Sequence, residues 1–120
     1  MNPMTVHIYG YPGCTTVKKA REWAEAEGLD PHYAHFSKLP DLKASLAEWI
    51  EKAGIDSVFN DRAQTLKKMP ESEQQAITAS DDAKIAAMAA DPRLIKRPVG
   101  TDGKTVLTGF KQPEWEAAFR

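Results

Sequence analysis

Thr5-Val6-His7-Ile8-Tyr9-Gly10-Tyr11-Pro12-Gly13-Cys14-Thr15-Thr16-Val17-Lys18-Lys19-Ala20 is the stretch that decides how this 120-residue chain folds. Its first five residues alternate apolar and polar and read as a strand. Gly10 to Gly13 then form a turn, because glycine and proline interrupt regular structure. From Cys14 to Glu27, Val17, Ala20, Trp23 and Ala24 recur at helical spacing, and Gly28 suits the position just past a helix end. The one cysteine of the chain thereby falls at a strand-to-helix junction. Unpaired N–H groups and the positive end of the helix dipole stabilise a thiolate there. The thiolate, not the thiol, is the nucleophile. Lone cysteines are otherwise commonly buried and inert; this setting favours the reactive reading.

Composition bounds the alternatives. A chain of 120 residues with 42% hydrophobic and 28% charged residues is an ordinary globular domain, large enough for a core without staples. The net charge of −1 gives no electrostatic case for nucleic acid or an anionic membrane as partner. One cysteine forms no internal disulfide and fits a reducing compartment. Met1-Asn2-Pro3-Met4-Thr5 lacks the basic and apolar regions of a leader. No stretch reaches membrane-spanning length. The expected location is cytoplasmic.

Further along, Tyr33 to Phe36 read as a second short strand. Leu42, Leu46, Trp49, Ile50 and Ala53 make an apolar helical stripe closed by Gly54. Ile55 to Lys68 is less regular, with Val58 and Phe59 expected inside. Ser72 and Gln75 have capping-box spacing. Ser80-Asp81-Asp82 opens an alanine-rich helix with Ile85 and Met88 inward, stopped by Pro92. Pro98-Val99 and Thr105 to Thr108 flank Asp102-Gly103, a hairpin signal. Pro113 is expected at the first position of a last helix, with Trp115, Ala118 and Phe119 inward. Strand, helix and strand at the front predict a parallel unit with a crossover helix. The whole order predicts an α/β fold: one thioredoxin-like domain over residues 1–120, a mixed sheet with a helical insertion at about 40–92. In that plan the thiol opens the first helix, and Pro98 takes the place of a cis-proline before the third core strand.

Three stretches together resemble the arsenate reductase (ArsC/Spx/YffB) family, nearest its YffB-like branch. They are Tyr9 to Trp23 around Cys14, Asn60-Asp61-Arg62, and Ile95-Lys96-Arg97-Pro98. Val106-Leu107-Thr108-Gly109-Phe110 fits as well. The resemblance implies Cys14 as nucleophile and anion-binding arginines at Arg62 and Arg97. A guanidinium is a planar fork that holds an oxyanion or carboxylate and lowers a nearby thiol pKa. Thr15 and Thr16 can offer hydroxyls and helix N–H groups to the same anion. Lys18 joins the candidates because a basic residue in a first turn works against the dipole, which hints at a task.

The chain also departs from the family. Where the arsenate reductases carry a third arginine, it has Thr108-Gly109-Phe110-Lys111, and Lys111 offers only a point charge. Where Spx regulators carry a second cysteine, it has Val17. The resemblance therefore implies a thiol-dependent reductase acting on a small oxyanion or disulfide. No bound cofactor is expected; glutathione, as co-substrate, or a glutaredoxin-like thiol donor resolves the adduct. The alternatives are a true arsenate reductase and a non-enzymatic, Spx-like partner of RNA polymerase. His32 and His35 lack further ligands at metal spacing, so no metal site is expected. Tyr11 either lines the site or covers a surface turn.

Overall fold

In the computed structural model, which describes residues 4–120, alternation along β1 (Thr5–Gly10) buries Val6 and Ile8 completely and leaves His7 and Tyr9 half-buried. The leader reading at Met1-Asn2-Pro3 lies outside the described residues. Helix α1 (Thr15–Ala26) buries Val17, Ala20, Trp23 and Ala24. Gly28 ends it at φ 75, the left-handed conformation that a side chain disfavours.

The second strand differs from expectation. β2 runs Asp30–His35, and Phe36 opens a 3-10 turn. Parallel pairing with β1, from Thr5↔Asp30 to Gly10↔His35, sets these limits. Pro31 is tolerated because β2 is an edge strand in the order β2-β1-β3-β4. β3 (Val99–Thr101) pairs antiparallel with β1, and β4 (Val106–Thr108) antiparallel with β3. Thr105 was expected in β4 but stays in the loop. The Asp102 carboxylate accepts its N–H at 2.8 Å and that of Lys104 at 2.9 Å, while Gly103 turns at φ 95. In α7 (Gln112–Phe119) the helix begins one residue earlier than expected, so Pro113 is its second residue, and Trp115 and Phe119 are fully buried.

The described residues form two compact units. The first, up to Pro40 and again from Arg97, contains the whole sheet, α1 and α7. Its core joins Val6 and Ile8 to Val17, Ala20, Trp23, Ala24, Trp115 and Phe119. This is the mixed sheet of a thioredoxin-like fold, with one parallel and two antiparallel pairings.

The second unit, Asp41–Lys96, is helical. Asp41 caps α2 (Leu42–Ala53) by accepting from the Ala44 amide at 3.1 Å, and Leu46 and Trp49 are buried. Short helices α3 (Ile55–Val58) and α4 (Gln64–Lys67) follow, then α5 (Glu71–Thr78) and α6 (Asp81–Ala90). A bridge between Phe59 and Ile95, flanked by the Lys96 amide donating to the Val58 carbonyl at 2.8 Å, ties the unit past Pro92. The Ser72–Gln75 capping box is not formed. Pro70 stands at the cap and Ser72 lies inside α5. A capping side chain must precede its helix, and this helix starts too early for Ser72. Among the described residues no helix is long and apolar enough to cross a membrane.

Ser80 does cap α6, its Oγ accepting from the Ala83 amide at 3.0 Å, with Asp81 and Asp82 in the first turn. Ser80→Ala is expected to cost about 1 kcal/mol in a denaturant melt. An unchanged midpoint would mean that packing alone holds this helix end.

Candidate active site

The site is built where β1 hands over to α1. Gly10 allows the close approach: a Cβ there would come within 2.5 Å of Val17 Cγ2. The Cys14 amide donates to the Tyr11 carbonyl at 3.1 Å, closing the turn that presents the thiol. Cys14 is then the N-cap residue of α1, with extended φ −83 and ψ 120. It is half-buried and free.

Its sulfur makes no capping hydrogen bond as a thiol, yet its surroundings prefer the thiolate. Burial pushes the Cys14 pKa up; the amides of Val17 and Thr16 and the Arg97 guanidinium outweigh that burial and hold it below its ordinary value. The expectation for Thr15 and Thr16 rested on hydroxyls and amides together. The structure brings the Thr16 amide to the sulfur, with Val17 beside it, and leaves Thr15 exposed. Val17 was read only as a core residue. Its amide was legible in the rule that the second and third amides of a helix face the cap residue.

Arg97 is half-buried just ahead of β3, and the Arg97–Pro98 peptide bond is cis. The Pro98 carbonyl accepts from the Gly109 amide at 2.9 Å. The Arg97 guanidinium carbon lies 5.2 Å from the centre of the Tyr11 ring, within cation–π range. Tyr11 in turn meets His35 edge-on at 4.8 Å and Phe36 at 5.6 Å. On β2, Tyr33 donates to the Gly10 carbonyl at 3.4 Å, with Arg21 4.5 Å over its ring. Burial pushes the Tyr33 phenol up, Arg21 draws it down, and the Cys14 thiolate adds a smaller upward push. Tyr33 was therefore missed as a neighbour of the thiol; only the strand register reveals it.

The other expected residues are exposed. Lys18 is exposed and 3.9 Å from Glu22, an exposed pair worth little. Arg62 belongs to the second unit, exposed, its amide donating to Asn60 Oδ1 at 3.1 Å. Lys111 is exposed at the cap of α7, whereas Phe110 packs on Trp23 and Trp115. Among the described residues no cluster of His, Cys, Asp and Glu is arranged to hold a metal. The arrangement favours the thiolate of a sulfur beside the Arg97 cation, with no second thiol in the chain.

Comparison with known proteins places this geometry in context. Residues 9–118 match the model of the ArsC family. YusI of Bacillus subtilis, an uncharacterised protein, is 33% identical, the match covering 94% of this chain and 97% of YusI. The regulatory protein MgsR of the same organism is 28% identical over 89% of this chain and 84% of its own. The solved structure of the YffB (PA3664) protein superposes with a TM-score of 0.85 at 29% identity, covering 96% and 99% of the two chains.

Proposed function

This chain belongs to the ArsC family, and from that membership we propose that it is a thiol-dependent reductase with Cys14 as nucleophile. The observation that carries the reading is the Cys14 sulfur at the cap of α1, facing two amides and the Arg97 guanidinium. The Cys14 thiolate attacks one sulfur of a disulfide substrate. The old S–S bond breaks, a Cys14 mixed disulfide forms, and the other half leaves as a thiolate. Glutathione, or a glutaredoxin-like donor, then attacks the mixed disulfide as its thiolate and takes over the substrate's half. Cys14 returns as thiolate, and the donor carries the oxidation away. A cytoplasmic, reducing setting keeps that donor available. Arg97 stabilises the attacking thiolate, and Lys18, one turn along α1, is placed to meet a carboxylate of the donor.

The test is the rate of Cys14 alkylation against pH. The thiolate reacts, so the rate climbs through the folded-state pKa and levels off above it. The expected midpoint for the native protein lies below that of an unperturbed thiol, about 8.5. Arg97→Ala removes a stabiliser of the charged form, so the midpoint moves up and the rate near pH 6 falls. A native midpoint at about 8.5 would sink the proposal. Turnover of arsenate with glutathione and glutaredoxin separates the true arsenate reductase from the disulfide reductase.

The similarity to MgsR, a regulatory protein, favours a second reading, a regulator, and the resemblance to the Spx regulators makes RNA polymerase the partner to test. Under that reading the Cys14→Ser variant would remain on a column of immobilised polymerase. Under the reductase reading neither form is retained.

A further inference from the structure

We infer that Tyr11 is a positioning residue: its ring is the seat that holds the Arg97 guanidinium beside the Cys14 sulfur. The inference rests on the reading of Cys14 as nucleophile and extends it to a residue that the reaction itself does not touch.

An arginine side chain is long, and its rotamer entropy opposes holding it in one place. Something must therefore fix the Arg97 fork next to the thiol. Among the described residues no carboxylate pairs with Arg97. It lies beside the thiol and over the face of Tyr11, 5.2 Å from the ring centre. The Tyr11 ring is itself packed against two others. Phe36, fully buried, meets it edge-on at 5.6 Å, and His35 meets it at 4.8 Å. His35 is steadied by accepting from the Ser37 amide through Nδ1 at 3.0 Å. A chain of contacts thus runs from the core through Phe36 and Tyr11 to Arg97 and the sulfur. The same residue sets the sulfur's own place, since the Tyr11 carbonyl accepts the Cys14 amide at 3.1 Å. Any residue supplies that carbonyl; only an aromatic ring supplies the seat.

The test compares alkylation midpoints of the full chain carrying Tyr11→Phe, Tyr11→Leu, Tyr11→Gln, Arg97→Ala, and Tyr11→Leu combined with Arg97→Ala. Thermal melts identify the variants that fold. Tyr11→Phe keeps the ring and is expected to keep the native midpoint. Tyr11→Leu and Tyr11→Gln are expected to raise it by about half a pH unit, a roughly threefold lower rate near pH 6. Either suffices should the other not fold. The double variant is expected to match Arg97→Ala alone, because the seat matters only while the arginine occupies it. A midpoint that Arg97→Ala raises while Tyr11→Leu and Tyr11→Gln leave it in place overturns the inference and leaves the proposed function standing. Effects that simply add, or a Tyr11→Phe midpoint shifted as far as the leucine variant's, overturn it as well. A midpoint at the unperturbed value in the native protein overturns both. The readout needs no substrate, so failure to find a turnover activity does not touch it.

Discussion

Cys14→Ser is expected to abolish thiol exchange while leaving the fold, at a pH below the lowered Cys14 pKa, as stable as before or slightly more so. The chain has one cysteine, so no other sulfur can carry a mixed disulfide. A serine hydroxyl stays protonated at neutral pH and does not exchange with disulfides. The loss should be on the order of a thousandfold or more, as when a nucleophile is deleted elsewhere. Stability should move the other way. As a thiol the Cys14 sulfur makes no capping bond, and its backbone already has the extended conformation of a cap residue. Serine is a preferred residue there, and its oxygen can accept from the α1 amides, contributing up to about 1 kcal/mol. The measurements are the mass of the adduct formed with glutathione disulfide, the turnover rate, and the denaturation midpoint. Turnover that survives the substitution would place the chemistry elsewhere. A loss of activity accompanied by unfolding would leave the nucleophile unproven.

The largest loss of stability is expected from Gly100→Ala. Gly100 pairs with Ile8 in the register of β1 and β3 and so faces the same core. An added Cβ would run into the Trp115 ring, with Cζ2 only 2.7 Å away. The ring has little freedom to yield. Its Nε1 donates to the Gly109 carbonyl at 3.0 Å, and Phe110 and Phe119 pack on it at 5.2 and 5.3 Å. Overpacking of a filled core costs about 1–3 kcal/mol and sometimes more. Rigid backbone against a tethered ring puts this case at about 3 kcal/mol or above. Adding Trp115→Phe should recover part of the loss, a coupling that a double-mutant cycle on denaturation midpoints reads directly. A Gly100→Ala protein of native stability would show that Trp115 moves aside freely.

The legible parts of this chain are local. Val6 and Ile8 alternate within one strand, and Val17, Ala20, Trp23 and Ala24 recur within one helix, so each pattern carries its own evidence. The misread parts depend on neighbours. β2 begins at Asp30, through a proline, because its partner strand and edge position permit it. Ser72 has the right spacing for a cap, but Pro70 starts the helix ahead of it. Thr105 belongs to the loop because a carboxylate three residues back takes its amide.

The candidate site divides along the same line. The sequence by itself determined that a single thiol opens the first helix, since a strand pattern, a Gly/Pro turn and a helical pattern meet at Cys14. It also placed Arg97 and Pro98 just ahead of a late hairpin. Only the tertiary structure decided which groups reach the sulfur. Pairing of β1 with β3 brings Arg97 to Cys14 from 83 positions further along the chain. Pairing of β1 with β2 brings Tyr33 to the Gly10 carbonyl, and the packing that follows sets His35 and Phe36 against Tyr11. Periodicity is a short-range signal and registers nothing about these meetings. They follow from strand register, which the whole core fixes at once.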